Sequence, residues 1–315
     1  MDELKVGVTG AAGYTGSRVT KRLLEKDHEV VALDNMYHGQ VEEINGQEIL
    51  DVDIREKESL EDKLADVDVI IHLAALSGLD DCNEKPDEAF EVNVEGTNNI
   101  VRICDKYSIP LIHSSSMAVI GDPVEQPITS SHPVKPLNLY GKTKAVNESV
   151  IRNFSRDSFP SHIFLKSNLY GNHYIDGQRI GKNTVINYFL TQASKGEPLT
   201  VYKPGTQSRD FIHVKDAAEA YVKSAETIVN QENGSKKFTV ASGTSTSVID
   251  VAEKIQKIFR EEKETEPEIK LVENPRENET ITENFNVGTE RAKEIIAFDA
   301  SKTIEDSIRE EIKKL

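Results

Sequence analysis

Two side chains that could transfer a proton stand four residues apart, Tyr140 and Lys144. In a helix these two positions share one face. A nearby ammonium stabilises a phenolate and lowers the pKa of a tyrosine, which makes the phenol usable as a general base near neutral pH. The spacing alone arises easily by chance, so its meaning depends on the elements that surround it.

Three serines precede this pair, Ser114, Ser115 and Ser116, and they follow a predicted strand at Leu111–His113. In open α/β sheets, ligands bind beyond the carboxyl ends of the strands. We therefore expect a hydroxyl here to hydrogen-bond the reacting oxygen while Tyr140 moves its proton. A serine-rich loop that makes only local turn bonds is the alternative.

A glycine cluster follows the first predicted strand, Leu4–Thr9, in the spacing G-x-x-G-x-x-G at Gly10, Gly13 and Gly16. Glycine permits a positive φ, and it lets backbone N–H groups approach a pyrophosphate at the positive start of a helix. The pattern predicts a dinucleotide site. A tight strand–helix turn without a ligand would carry the same glycines.

An acidic residue, Asp34, ends the second predicted strand, 18 residues after Gly16. A carboxylate at this place can accept hydrogen bonds from the hydroxyls of an adenosine ribose, and its charge repels a 2′-phosphate. No arginine follows it in residues 35–39. NAD is therefore favoured over NADP, with a simple turn residue as the alternative.

Strands and helices alternate over the first 115 residues, which predicts a Rossmann-type, doubly wound parallel sheet in an α/β fold. The predicted strands are Leu4–Thr9, Glu29–Leu33, Glu48–Val52, Asp68–Leu73, Leu111–His113 and Ile163–Ser167, and the predicted helices are Ser17–Lys26, Lys57–Lys63, Pro86–Tyr107 and Asn138–Phe154. We expect a NAD-binding domain at 1–170 and a smaller α/β substrate lobe at 171–315. The segment at about 210–245 is expected to return to the first domain.

The overall charge excludes some classes of partner. The net charge is −16, which argues against nucleic acid, because phosphate backbones require clustered Lys and Arg. The longest mainly apolar stretch, Val67–Leu76, is about half of a bilayer-spanning helix, so no membrane segment is expected. Cys82 and Cys104 fit neither a disulfide framework nor a close metal spacing, so we expect free buried thiols, no metal and a cytoplasmic setting.

Together these features resemble the extended short-chain dehydrogenases/reductases, and specifically the NAD-dependent nucleotide-sugar epimerase/dehydratase family in its UDP-glucose 4-epimerase-like branch. The residues that carry the resemblance are Gly10, Gly13, Gly16, Asp34, Asp53-Ile54, His72-Leu73-Ala74-Ala75, Asn93, Ser114 to Ser116, Tyr140 to Lys144, Ser167 to Gly171 and Arg209 to Val214. They follow the family's order over nearly the whole chain.

The resemblance implies a role for each of these positions. Ser116, Tyr140 and Lys144 would be catalytic, with a nucleotide-diphosphate sugar as substrate. The implied cofactor-binding residues are Gly10, Gly13, Tyr14, Thr15, Gly16, Asp34, Asn35, Asp53, Ile54, Leu73, Ala74, Ala75, Asn93, Ser114, Tyr140 and Lys144. The implied substrate-binding residues are Ser116, Asn168, Arg209 and Arg276. A homodimer through the helices Pro86–Tyr107 and Asn138–Phe154 is also implied.

The residues after Ser116 bear on the reaction. Dehydratases of the family place an Asp-Glu pair there, whereas Met117 to Gly121 contain no acid. This favours an epimerase that acts at C4 of the sugar through a transient 4-keto intermediate. A nucleotide-sugar dehydrogenase, reductase or dehydratase is the alternative within the family, and a non-catalytic NAD-binding protein is the alternative outside it.

Overall fold

The fold is known from a computed structural model, which describes residues 3–275 and 280–314. Its strands are β1 Lys5–Thr9, β2 Glu29–Asp34, β3 Glu43–Ile44, β4 Gln47–Asp51, β5 Val69–His72, β6 Leu111–Ser114, β7 Pro160–Lys166, β8 Asn168–Tyr170, β9 His173–Ile175, β10 Gln178–Ile180, β11 Leu199–Tyr202, β12 Ser208–His213, β13 Gly234–Val240, β14 Ser245–Ser247 and β15 Ile269–Val272. Its α-helices are α1 Tyr14–Leu24, α2 Lys57–Leu64, α3 Leu79–Glu84, α4 Pro86–Phe90, α5 Thr97–Tyr107, α6 Leu139–Ser158, α7 Val185–Ser194, α8 Val214–Ile228, α9 Val248–Lys263, α10 Glu290–Ile296 and α11 Ile304–Ile312.

A large sheet forms the centre of the molecule, with the strand order β13-β7-β6-β5-β1-β2-β4-β3 among the described residues. The pairs from β13 to β4 are all parallel, and only the short β3 runs antiparallel, to β4. The strand order reverses direction between β1 and β5, which is the crevice where ligands bind in such sheets. The predicted α/β fold class is confirmed.

The central strands are buried on both faces. β5 is apolar over Val69, Ile70 and Ile71, and all four of its residues are buried. Such continuous apolar runs are typical of parallel strands that are covered by helices on both sides. Helices α1 and α8 pack against each other over one face, and α5 and α6 pack together over the other. Because the strands from β13 to β4 are parallel, their carboxyl ends all lie at one edge of the sheet.

A second, smaller group of elements covers that edge. It contains a three-stranded sheet of β14, β12 and β8 and a parallel pair of β11 and β15. Phe189, Phe211, Ile255 and Ile308 belong to its separate apolar cluster. After β12 the chain returns to the large sheet, where β13 pairs with β7 in parallel. The domain division at residue 170 stays a prediction.

The predicted helix Pro86–Tyr107 is confirmed, with a π-helical segment in its middle. A π-helical segment, Glu91–Gly96, separates α4 from α5. Gly96 lies against Ile54 there, and a Cβ on this glycine would come within 2.5 Å of the Ile54 side chain. The apolar periodicity of the sequence could not reveal this wider turn.

Several strands were also missing from the prediction. β13 begins with Gly-Ser-Lys-Lys and lies at the edge of the sheet, so its first half lacks an apolar pattern.

Cys82 and Cys104 are both free and buried, as predicted. Among the described residues, no helix combines the length and the apolar character that a membrane crossing requires.

Candidate functional site

Packing requires two of the three glycines where the chain passes from β1 into the first turn of α1. Gly10 has a φ of +73°, and a Cβ on it would lie 2.7 Å from the backbone nitrogen of Ala74. A Cβ on Gly16 would overlap the carbonyl oxygen of Gly10. A Cβ on Gly13 would meet only that same oxygen, at 3.4 Å. The absence of a side chain at Gly13 therefore leaves room that the protein itself does not fill.

The start of α1 offers unpartnered backbone donors. Gly13 is its N-cap residue, no side chain caps the helix, and its first turn carries no acidic residue. The first N–H groups of a helix lack partners within it, here those of Tyr14, Thr15 and Gly16. The Tyr14 phenol is used elsewhere, because it donates to the Gly171 carbonyl at 2.5 Å. The loop and the helix start together fit the pyrophosphate of a dinucleotide.

Asp34 lies at the end of β2 beside this loop. Its two carboxylate oxygens accept hydrogen bonds from the backbone N–H groups of Ala12, at 3.0 Å, and Met36, at 2.8 Å. Burial raises the pKa of this carboxyl, and the two backbone donors oppose the rise. Each oxygen keeps a lone pair, so Asp34 can still accept from ribose hydroxyls.

A second acidic group stands next to it. The Asn35 side chain donates to Asp53 at 2.9 Å, and the Arg55 guanidinium forms two further hydrogen bonds with that carboxylate. The Arg55 hydrogen bonds lower the pKa of Asp53 to about 2. Ile54 is buried beside the π-helical segment. Asn35, Asp53 and Ile54 thus form one wall next to Asp34.

The loop after β5 crosses the same edge of the sheet. Leu73, Ala74 and Ala75 are half-buried there. The buried Asn93 side chain accepts from the Leu76 backbone N–H at 2.8 Å and donates to the Leu76 carbonyl at 3.1 Å. It also lies 3.2 Å from the Thr143 hydroxyl on α6. Asn93 therefore fixes this loop to the helix that carries Tyr140 and Lys144.

The serines after β6 have different partners. Ser114 is buried near the Tyr221 phenol of α8, which has no hydrogen-bond partner among the described residues. Ser115 donates to the Glu148 carboxylate at 2.6 Å. Ser116 caps a short 3-10 turn by accepting from the Ala118 N–H. Ser116 lies near Tyr140, and its hydroxyl acts to lower the pKa of that phenol.

Tyr140 and Lys144 both lie in the first part of α6, as the spacing predicted. The Asn138 side chain caps this helix by accepting from the Gly141 N–H at 2.9 Å. A side chain at Gly141 would overlap the Ala118 carbonyl. The glycine after Tyr140 therefore lets the helix start pack directly onto the turn that follows Ser116.

The electrostatics of the pair differ from the expectation. The Lys144 ammonium lies 5.8 Å from the centre of the Tyr140 ring. Burial raises the pKa of Tyr140 to about 12, and the Ser116 hydroxyl opposes this rise. Burial lowers the pKa of Lys144 to about 8. The predicted lowering of the Tyr140 pKa by Lys144 is absent in this structure, because burial dominates and Lys144 is not among the groups that shift this pKa.

A buried ion pair stands behind the catalytic pair. The second oxygen of Glu148 accepts from the Lys237 ammonium of β13 at 2.8 Å, and both side chains are only 5% exposed. With Ser115 on its other oxygen, Glu148 connects β6, α6 and β13. Sequence analysis missed both residues. The i+4 spacing of Glu148 from Lys144 was the available signal, whereas Lys237 had none.

The predicted substrate residues fall on the smaller sheet. The Asn168 side chain is exposed at the start of β8, which pairs with β12 so that Asn168 faces Phe211. Arg209 of β12 donates to the carbonyls of Ser208, at 2.8 Å, and Thr280, at 2.6 Å. Arg276 lies outside the described residues.

Asp210 organises this region. It is fully buried, and its carboxylate accepts from Ser167, Ser242, Gly243 and Thr244 at 2.6 to 3.1 Å. The strand ends that carry Asn168 and Arg209 are therefore tied to one carboxylate. Within residues 3–275 and 280–314, no group of three or more His, Cys, Asp or Glu could hold a metal ion.

Comparison with known proteins identifies the family of the chain. The family model described as NAD dependent epimerase/dehydratase family matches residues 6–241. A UDP-glucose 4-epimerase from Bacillus subtilis is 31% identical over 281 residues, covering 81% of this chain and 82% of that protein. A UDP-N-acetyl-alpha-D-glucosaminuronate decarboxylase from Bacillus cytotoxicus is 31% identical over 265 residues, covering 80% and 79% of the two chains.

A solved structure extends the similarity over the whole chain. It is a UDP-N-acetylglucosamine 4-epimerase from Methanobrevibacter ruminantium in complex with UDP-N-acetylmuramic acid, with a TM-score of 0.85, 25% identity and complete coverage of both chains. The predicted family and the predicted cofactor, NAD, are confirmed. The chain belongs to the NAD-dependent epimerase/dehydratase family of enzymes.

Proposed function

We propose that this enzyme is a nucleotide-sugar epimerase that inverts C4 of the sugar through a transient 4-keto intermediate. The observation that carries the proposal is the convergence of Ser116, Tyr140 and Lys144 at the carboxyl end of the sheet. The turn after Ser116 supports an epimerase over a dehydratase, since Met117, Val119 and Ile120 are buried and apolar.

The cofactor residues would act mostly through their backbone. The N–H groups of Tyr14, Thr15 and Gly16, with the space at Gly13, would hold the pyrophosphate of NAD. Asp34 would accept from the adenosine ribose, and the loop after β5 would line the other half of the cofactor. When bound there, NAD would supply a reversible hydride acceptor for C4 and a positive charge.

The catalytic residues would handle the proton. Ser116 would hydrogen-bond the C4 oxygen, and Tyr140 would take its proton and later give it back. The pKa of Tyr140, about 12, has to fall for this step. Its place in the first turn of α6 and the ammonium of Lys144 both favour the phenolate. Lys144 would also contact the nicotinamide ribose.

The diphosphate of the substrate would lie near the smaller sheet, with Asn168, Arg209 and Arg276 as its ligands. Arg209 donates to the carbonyls of Ser208 and Thr280, and its planar guanidinium suits a diphosphate. The predicted homodimer is also retained as a proposal. Exposed apolar side chains on α4, α5 and α6, namely Phe90, Tyr107 and Val146, support it.

The test is incubation with NAD and a panel of UDP- and dTDP-sugars, followed by separation of the epimers. Tyr140→Phe should lower turnover by about a thousandfold, because it removes the proton acceptor, while NAD binding is retained. Tyr188→Phe, at an exposed tyrosine of α7, is the matched control. A keto product formed in a stoichiometric amount with reduced cofactor, and no epimer, would show a dehydrogenase instead.

A further inference from the structure

Three lysines from separate parts of the chain lie around one end of the proposed substrate cleft. This reaction end is the part that contains Ser116 and Tyr140. Lys144 is on α6, Lys166 ends β7, and Lys182 lies between β10 and α7. The Lys166 ammonium is 5.9 Å from the centre of the Tyr221 ring. Because Phe164 of β7 pairs with Ser114 of β6, Lys166 lies two residues further along, beside the serine segment that ends in Ser116.

Lys182 approaches the loop that follows β5, the strand next to β6 in the large sheet. Its ammonium donates to the Ser77 hydroxyl at 3.0 Å, on the loop that follows β5. The buried Asn187 side chain donates to the Lys182 carbonyl at 3.0 Å, which fixes the segment. Burial and the charges of Lys144 and Lys182 lower the pKa of Lys166 to about 7. The three cations thus repel one another within one cleft.

The cleft supplies too few carboxylates to balance them. Among the described residues, Lys166 has neither an ion pair nor a hydrogen-bond acceptor. Lys144 is opposed by Glu148, which already binds Ser115 and Lys237. Lys182 is opposed by Asp81, which also faces His38 at 3.4 Å. In a chain with a net charge of −16, this local excess of cations indicates an anionic ligand.

The other anionic groups of the two ligands are accounted for elsewhere. The pyrophosphate of NAD is assigned to the start of α1, and the diphosphate of the substrate to Asn168 and Arg209. What remains beside Tyr140 is the sugar ring. Lysines around the C4 oxygen can reach a carboxylate only if it is attached to a neighbouring ring carbon. In a uronate that ring carbon is C5.

We propose that the sugar of the substrate is a uronate whose carboxylate is bound by Lys166 and Lys182. This inference rests on the proposed nucleotide-sugar function and adds the class of sugar to it. Lys166 and Lys182 are then specificity residues, while Lys144 serves Tyr140. The pair of ammonium groups would also stabilise the carboxylate as an anion when C4 is oxidised, which opposes its loss as CO2.

The experiment compares UDP-glucuronate and UDP-galacturonate with UDP-glucose and UDP-galactose. We expect the wild-type kcat/KM to favour the uronates by at least about tenfold, as for close charge pairs. Lys166→Met and Lys182→Met should each reduce that preference by about tenfold. Lys142→Met, at an exposed lysine of α6, removes the same charge and should leave the preference unchanged. The wild-type preference decides the matter even if a variant does not fold.

Calorimetry on the Tyr140→Phe protein separates this inference from the proposed function, because it needs no turnover. Tighter binding of UDP-glucuronate than of UDP-glucose supports the carboxylate site even if no epimer is found. Release of CO2 with a UDP-pentose would replace the epimerase by a decarboxylase and still support the site. Equal affinity for the two sugars overturns it. So does a Lys166→Met variant that binds UDP itself as weakly as UDP-glucuronate, because the lysine then serves the diphosphate.

Discussion

The proposed binding cleft has a cofactor end, at the start of α1, and a reaction end, around Ser116 and Tyr140. The two ends use different kinds of chemical groups. At the cofactor end, the donors are backbone N–H groups at the start of α1, and Asp34 is the main charged side chain. At the reaction end, the working groups are side chains from β6, α6, β7 and the loop before α7. Three lysines and a tyrosine with shifted pKa values lie there.

The difference follows from what each end has to do. A pyrophosphate needs fixed donors that never titrate, and backbone dipoles provide them at the cost of excluding Cβ atoms. Proton transfer needs groups that do titrate, and these need burial and partners that hold their pKa values. The first end is therefore sensitive to added atoms, and the second is sensitive to lost partners.

The largest effect is expected from adding one methyl group at the cofactor end. Gly16→Ala should destabilise the protein by about 3 kcal/mol or more, because its Cβ would overlap the Gly10 carbonyl and the backbone must move. Gly13→Ala should change the free energy of unfolding by less than about 1 kcal/mol and yet weaken NAD binding by about tenfold. Urea unfolding and calorimetric titration with NAD measure the two effects. Unchanged NAD affinity in Gly13→Ala would place the pyrophosphate elsewhere.

A similar loss is expected at the reaction end from removing one buried partner. Glu148→Gln should cost about 3 kcal/mol of unfolding free energy, because Lys237 keeps a buried charge without its counter-ion. Lys237→Met should cost a similar amount, and the double substitution should lose less than the sum of the two. A double-mutant cycle in urea measures this coupling. Additive losses would mean that the pair does not hold β6, α6 and β13 together.

The smallest effect concerns the unpaired lysine and its dependence on pH. The pKa of Lys166 is about 7 when folded and 10.5 as its ordinary value, so the unfolded chain binds more protons between these pH values. The cost of burying its charge is complete below pH 7 and fades as the pH rises toward 10.5. Lys166→Met should therefore be more stable than the wild type at pH 7, with a difference that shrinks by pH 10. Thermal unfolding at both pH values, with Lys142→Met as the control, measures it, and a difference that grows with pH would contradict the burial of Lys166.

Local patterns were sufficient for the cofactor end. The elements at this end are close in sequence: the strand before Gly10, the helix predicted after Gly16, and β2 with its acidic end. Each of them can be predicted from its own apolar periodicity. The helical spacing of Tyr140 and Lys144 was found in the same way. The π-helical turn at Glu91–Gly96 was not predicted, and Ile54, against which its Gly96 packs, is distant along the chain.

The sequence by itself thus determined the alternating sheet, the preference for NAD, and the pairing of Tyr140 with Lys144 on one helix face. The glycine loop as the site of the dinucleotide stays a prediction. Only the tertiary structure decided the Glu148–Lys237 pair, the junction of Asn93 with Leu76, and the approach of Lys182 to Ser77. The physical reason is that burial and neighbouring charge set a pKa, and both come from residues far apart in sequence. The burial and the neighbouring charges of a lysine are determined only when the chain folds.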